Sequence, residues 1–141
     1  MKAEPRARTP DRQFVIIGAG MCGLYQLHKL LRMGADVTVL ERGDDVGGTW
    51  YWNRYPGCRF DSESYTYGYS FSKELLAEWD WTEHFSPQPE NLRYVNHVVD
   101  KFDLRKHVQF GCNLKRAVWD DEQHIWTLEL AEGRTLTCRY L

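Results

Sequence analysis

The sequence lacks the features that define several protein classes. Its four cysteines form no C-x-x-C pair and its five histidines show no ligand spacing, so we expect neither a zinc site nor a thioredoxin-like redox centre. No apolar run is long enough for a signal-peptide core or a membrane helix. The net charge of −2 argues against a general nucleic-acid binder. These absences predict a cytoplasmic protein with reduced thiols that binds neither nucleic acid nor membrane.

Length and composition predict one folded domain. The chain has 141 residues, of which 43% are hydrophobic, so it can bury a real core. Basic residues beside Pro5 and Pro10 predict a flexible tail over residues 1–12, followed by a domain over residues 13–141. No repeat or low-complexity segment interrupts that domain.

The first third of the chain predicts a β-α-β unit. Phe14–Ile17 is a continuous apolar run, as expected for a parallel strand that is covered on both faces. Leucines then recur at helical spacing up to Gly34, and residues 36–41 resemble a second strand. A strand, a crossover helix and a parallel strand together predict an α/β fold of the Rossmann type.

The rest of the chain changes character twice. Residues 42–72 are rich in Gly, Tyr, Trp and Arg and have no clear period, and such a long loop is usually functional. Ser72 can cap a short helix that extends to Trp79, and Pro89 suits the first turn of another. Three later segments predict an antiparallel β-meander: Val108–Trp119, His124–Leu130 and Thr135–Leu141.

A glycine cluster between the first strand and the helix predicts dinucleotide binding. Gly18 would allow a tight turn, Gly20 would let the backbone approach a pyrophosphate, and Gly23 would let the helix pack closely on the strand. Met21 belongs to the same loop, where a helix start offers unpaired N–H groups to phosphates. Glu41, at the end of the second strand, can accept hydrogen bonds from ribose hydroxyls.

The second glycine pair indicates which dinucleotide is bound. Glu41 would repel a 2′-phosphate, which disfavours NADP in this pocket, although the neighbouring Arg42 weakens the argument. NAD remains possible from the first motif alone. Gly47 and Gly48 favour FAD, because glycines let the backbone pass close to an extended ligand beyond its ribose.

From Gly47 onward the sequence resembles a known family. The run GGTWYWNRYPG at residues 47–57, after the glycine cluster and Glu41, is similar to the FAD-binding part of Baeyer–Villiger monooxygenases. The resemblance covers residues 13–141 and is nearest to the branch acting on phenyl, steroid or terpenoid ketones. It implies an enzyme that uses FAD, NADPH and O₂ to convert ketones into esters or lactones through a C4a-peroxyflavin. It also implies a fragment, because the family's NADP-binding domain has no counterpart within these residues.

The resemblance implies individual roles for several residues. Asp61 matches the family's active-site aspartate, which pairs with an arginine of the second nucleotide domain. Tyr67 matches a flavin-contacting tyrosine, and Leu114 matches a position whose backbone touches the FAD adenine. Other matches line the flavin (Gly47, Gly48, Thr49 and Trp50) or lie near the nicotinamide cofactor (Arg59 and Phe60). An aromatic wall is expected to exclude water: Trp50, Tyr51, Trp52 and Tyr55.

Two other functions stay open. A related flavin monooxygenase could oxidise nitrogen or sulfur atoms, and a dinucleotide-binding module could lack catalysis altogether. Without the family match, the aromatic residues would be read as core, and Arg59 and Asp61 as surface residues.

Overall fold

The computed structural model describes residues 8–141, which form one mixed six-stranded sheet with helices packed against it. The strands are β1 (Arg12–Ile17), β2 (Val37–Leu40), β3 (Val108–Gln109), β4 (Leu114–Asp120), β5 (Ile125–Leu130) and β6 (Thr135–Tyr140). The helices are α1 (Met21–Arg32), α2 (Thr49–Trp52), α3 (Ser64–Tyr67), α4 (Lys73–Glu78) and α5 (Gln88–Lys101). The strand order is β3-β2-β1-β6-β5-β4.

The predicted β-α-β unit is confirmed. Strands β1 and β2 pair in parallel with Phe14 opposite Val37, and α1 makes the crossover between them. Leu24 and Leu27 of α1 are 1% and 0% exposed, because they cover one face of this central sheet. All four residues of β2 are buried, as expected for a strand with neighbours on both sides.

The predicted meander is present, but its first strand was predicted too long. Strands β4, β5 and β6 are antiparallel neighbours, and β6 also pairs in parallel with β1. The expected strand Val108–Trp119 is divided, because Gly111 turns the chain with a φ of +66° and Cys112 donates its N–H to the Glu41 carbonyl. Only Val108–Gln109 joins β2, and the meander begins at Leu114.

The last residues of the predicted tail contact the sheet. The Asp11 carboxylate accepts hydrogen bonds from the Thr137 amide and hydroxyl at 2.8 and 2.7 Å, and β1 begins at Arg12. These bonds also lower the pKa of Asp11. Asp11 and Arg12, which the sequence assigned to a flexible tail, are therefore bonded to the sheet. Residues 1–7 of that tail lie outside the described residues.

The helices of the middle segment begin where their capping signals predicted. The Ser72 hydroxyl accepts a hydrogen bond from the Leu75 amide at 3.2 Å, and Pro89 lies in the first turn of α5. Helix α5 buries Val95 and Val99 against the main core. Within residues 8–141, no helix is long and apolar enough to cross a membrane.

Candidate functional site

A groove runs along the carboxyl ends of β1 and β2, where open α/β sheets bind their ligands. It consists of two adjoining cavities with volumes of about 460 and 410 Å³. The first cavity lies toward Glu41 and Leu114, and the second toward Trp50 and Tyr67. The two cavities share the lining residues Ile17, Gly18, Gly20, Gly48 and Thr49.

The start of α1 forms the middle of the groove. Gly18 turns the chain with a φ of +95°, and its amide donates to the Leu40 carbonyl at 2.8 Å. A Cβ atom on Gly23 would lie 2.0 Å from the Gly18 carbonyl oxygen, so only glycine fits there. Gly20 is the N-cap and supplies no side-chain hydrogen bond, and the first turn carries no acidic residue. The amides of this turn are therefore available to an anionic ligand.

Glu41 lies in the first cavity and supports the glycine loop. Its side chain is buried, with the residue only 4% exposed. One carboxylate oxygen accepts the Ala19 amide at 2.7 Å, and the other accepts the Gly43 amide at 2.8 Å. Each oxygen retains a further lone pair that a ribose hydroxyl can use.

Gly43 is a part of the site that sequence reasoning missed. A Cβ atom there would lie 2.9 Å from Cε1 of Tyr51 and 3.2 Å from the Glu41 carboxylate. A side chain at this position would therefore disturb the bond to Glu41. The only signal in the sequence was a glycine placed two residues after the acid.

The second glycine pair packs directly on the first. The Gly47 amide donates to the Ala19 carbonyl at 3.0 Å. Gly48 has a φ of +54°, and a Cβ atom on it would lie 2.7 Å from Cα of Gly20. The two glycine motifs therefore form one backbone surface along the groove, and helix α2 leaves from its edge.

Aromatic side chains form the wall of the second cavity. Trp50 is 5% exposed, and its indole N–H donates to the phenol oxygen of Tyr67 at 2.8 Å. Burial raises the pKa of Tyr67, which keeps the phenol neutral. Phe60 stacks on the Tyr67 ring with centroids 4.4 Å apart and so supports it from behind.

The expected aromatic wall is only partly assembled in this domain. Trp52 is 49% exposed and lines the first cavity instead of the second. The Arg42 guanidinium lies 4.7 Å from the centroid of the Trp52 ring and lines the same cavity. Tyr55 is 61% exposed and lines neither cavity.

The structure brings together most of the predicted site residues. Those lining the groove are Gly18, Gly20, Met21, Gly23, Glu41, Gly47, Gly48, Thr49, Trp50, Tyr67 and Leu114. Phe60 lies behind the groove, and Asp61 is exposed outside it. Arg59 also lies outside, where it pairs with Glu83 at 3.0 Å and donates to the Phe85 carbonyl at 2.9 Å. Within residues 8–141, no group of His, Cys, Asp and Glu side chains could bind a metal ion.

Comparison with known sequences confirms the resemblance. Residues 16–79 match the NAD(P)-binding Rossmann-like domain family. The chain is 47% identical over 136 residues to the 2-oxo-Δ³-4,5,5-trimethylcyclopentenylacetyl-CoA monooxygenase of Pseudomonas putida, covering 96% of this chain and 25% of that protein. It is 44% identical over 132 residues to a Baeyer–Villiger monooxygenase of Pseudooceanicola batsensis, covering 93% of this chain and 24% of that protein.

A third relative is named for the oxidation of nitrogen. The chain is 46% identical over 128 residues to the phenazine N-monooxygenase PhzNO1 of Lysobacter antibioticus, covering 90% of this chain and 24% of that protein. The similarity of this region therefore does not by itself separate oxidation at carbon from oxidation at nitrogen.

Solved structures agree with the sequence comparisons. The chain superposes on a steroid monooxygenase bound to NADP with a TM-score of 0.88 and 45% identity, covering 91% of this chain and 25% of that one. It superposes equally on OTEMO in complex with FAD and NADP, with a TM-score of 0.88, 46% identity, and coverage of 94% and 25%. The chain thus spans about a quarter of the length of these relatives.

Proposed function

Because the chain is homologous to Baeyer–Villiger and related flavin monooxygenases over nearly all of its residues, we propose that it is the FAD-binding part of such an enzyme. The whole protein would use FAD, NADPH and O₂ to insert one oxygen atom next to a ketone carbonyl. The observation that carries the proposal is the contact between the two glycine motifs, which joins the Glu41 cavity to the Tyr67 cavity.

The residues of the groove fit FAD. The start of α1 suits the pyrophosphate, since within residues 8–141 no side chain caps its amides. Glu41 has free lone pairs for ribose hydroxyls in the first cavity. The buried Trp50 and Tyr67 suit the flat, apolar flavin ring in the second cavity. Glycines at the junction leave the backbone free to approach an extended ligand.

The bound flavin would supply two-electron redox chemistry and the reaction with O₂, and NADPH would supply the hydride. The residues of this chain would bind the flavin, orient it and shield it from water. Tyr67 is neutral and accepts from Trp50, so its own proton is available to a ligand in the second cavity. The burial of Trp50 removes water from that wall.

Asp61 has a proposed role at the substrate side. Oxygen insertion next to a carbonyl develops negative charge on the former carbonyl oxygen, and a fixed cation stabilises that charge. Asp61 is exposed, so its carboxylate is accessible to an arginine outside these residues. We propose that Asp61 orients such an arginine and that Arg59 lies near the nicotinamide cofactor.

Oxidation of nitrogen is the second candidate, and the similarity to a phenazine N-monooxygenase favours it over sulfur oxidation. A dinucleotide-binding module without catalysis is the third. We also propose a cytoplasmic location, which the four free thiols support: Cys22, Cys58, Cys112 and Cys138.

The test is made on the full-length protein. We expect a yellow preparation that absorbs at about 450 nm, the property of bound flavin. Phenyl and cyclic ketones should increase NADPH consumption and give esters or lactones that carry one ¹⁸O atom from ¹⁸O₂. N-oxides from phenazines without any ester would select the second candidate. A colourless protein that binds no FAD would contradict the flavoenzyme proposal itself.

A further inference from the structure

Arg105 lies outside the lining of both cavities of the groove, but its side chain connects the segment before the second glycine pair to helix α5. We propose that Arg105 is a positioning residue that acts through Asp45 to fix the second glycine pair, Gly47 and Gly48, against the phosphate loop formed by residues 18–23. The inference rests on the proposed FAD site and names a residue that sets its geometry.

Arg105 has three partners on two different parts of the chain. One terminal nitrogen of its guanidinium donates to the Asp45 carboxylate at 2.5 Å, and the other donates to the Asn96 side-chain oxygen at 2.6 Å. Its Nε lies 3.7 Å from the Asp100 carboxylate. Asn96 and Asp100 belong to α5, so the planar guanidinium ties the Asp45 turn to that helix.

Asp45 transmits this restraint to the groove. The oxygen that accepts from Arg105 also accepts the Val46 amide at 2.7 Å, which fixes the turn before the glycine pair. The next amide, that of Gly47, donates to the Ala19 carbonyl of the phosphate loop at 3.0 Å. Gly48 then lies against Gly20.

Helix α5 limits the same segment from the other side. A Cβ atom on Gly47 would lie 2.6 Å from Cδ1 of Leu92, so Gly47 fits between α5 and the phosphate loop. A shift of the Asp45 turn would move Gly47 and Gly48 together, because neither has room to adjust alone. The Arg105–Asp45 bond therefore sets the width of the groove at the junction of its two cavities.

The side chains of Arg105 and Asp45 are 40% and 41% exposed, so the ion pair by itself contributes little stability. The effect should appear in cofactor affinity instead. In the full-length protein, Arg105→Met should raise the dissociation constant of FAD about tenfold, because the second glycine pair is no longer held in place through Asp45. Lys106→Met is the matched control, because the partner of Lys106 within residues 8–141 is the neighbouring exposed Asp103.

A double-mutant cycle tests the route of action. Asp45→Ala, which removes the oxygen that accepts from both Arg105 and Val46, and Arg105→Met are measured singly and together by titrating apoprotein with FAD and following flavin fluorescence. If Arg105 acts through Asp45, Arg105→Met should raise the dissociation constant of FAD less than about threefold further in the Asp45→Ala background. If Arg105→Met does not fold, Arg105→Lys carries the same cycle, because it keeps the charge but loses the second donor of the fork.

The outcomes are distinct. If the increases in the dissociation constant of FAD caused by the two single substitutions multiply in the double mutant, Arg105 does not act through Asp45. A lower melting temperature of the Arg105→Met apoprotein with unchanged FAD affinity would show a merely structural residue and overturn the inference. Failure of the unaltered full-length protein to bind FAD would instead defeat the proposed function.

Discussion

The indole nitrogen of Trp50 lies 2.8 Å from the phenol oxygen of Tyr67, and the bond joins the second glycine segment to helix α3. Both side chains line the second cavity, and Phe60 stacks on Tyr67 behind it. The wall of the proposed flavin site is therefore built by side chains from separate parts of the middle segment that support one another.

Loss of this bond should destabilise the domain. Tyr67→Phe leaves the buried Trp50 N–H without its acceptor, so the free energy of unfolding should fall by about 1–3 kcal/mol. Urea denaturation followed by tryptophan fluorescence measures the change. Tyr65→Phe is the control, because Tyr65 is 67% exposed and its side-chain partner among the described residues is Glu63, two positions earlier. Equal effects of the two substitutions would contradict this role of Tyr67.

Two glycines of the phosphate loop should respond differently to alanine. A Cβ atom on Gly23 meets a backbone oxygen at 2.0 Å, so Gly23→Ala should lower both the stability of the apoprotein and FAD binding. A Cβ atom on Gly20 meets its nearest atom at 3.4 Å, an ordinary contact. Gly20→Ala should therefore leave the apoprotein within about 1 kcal/mol of its stability while blocking FAD. Thermal melting and FAD titration of both variants decide; unchanged FAD affinity in Gly20→Ala would refute the placement of the pyrophosphate.

Asp61 should matter for turnover and not for the fold. It is exposed, so Asp61→Ala should change the free energy of unfolding by no more than about 0.5 kcal/mol and keep the FAD absorbance. Ketone-dependent NADPH consumption by the full-length protein should fall about 10²–10³-fold, because the orienting partner of the active-site cation is lost. Asp80→Ala, at another exposed acid, is the control and should keep its activity. An active Asp61→Ala variant would remove Asp61 from the mechanism.

Stability should decrease below neutral pH because of His28. Burial of its imidazole against Phe71 and Phe102, and then the nearby Arg32 and Lys29, lower the pKa of His28 from 6.5. The unfolded chain therefore takes up a proton at a higher pH than the folded protein does. The contribution of His28 to the free energy of unfolding should be constant well above pH 6.5. It should fall as the pH drops below 6.5, by at most about 1.4 kcal/mol per pH unit.

The variant His28→Gln isolates this effect, because glutamine keeps a polar side chain that does not titrate. Urea midpoints at pH 7.5 and 5.5 are compared in the two proteins. Carboxyl groups with lowered pKa values, such as that of Asp11, also reduce the stability of the protein on acidification, but they do so equally in the variant and in the unaltered protein. The same fall in the variant as in the unaltered protein would exclude His28 as the cause.

Local patterns predicted much of the fold and the first half of the site. The apolar run of β1, the glycine cluster and Glu41 follow one another within 30 residues, and their geometry depends on hydrogen bonds between near neighbours and adjacent strands. The helix caps at Ser72 and Pro89 were predictable for the same reason.

Features that depend on distant contacts were not predictable in the same way. The strand predicted over Val108–Trp119 broke at Gly111, because the first two residues pair with β2 and the turn bonds to Glu41. The bond between Asp11 and Thr137 spans almost the whole chain, so no local signal predicted it. Each glycine motif could be recognised in the sequence, but the sequence did not show that Gly48 packs against Gly20.

The pairing of β6 with β1 has a consequence for biosynthesis. Arg12 of β1 lies opposite Cys138 of β6, so β1 is synthesised more than a hundred residues before the strand that pairs with it on this side. Until then one edge of β1 is bare, and a nascent chain stalled before Thr135 exposes it to aggregation and to chaperones. Translation of β6 is thus the event that joins the meander to the parallel part of the sheet.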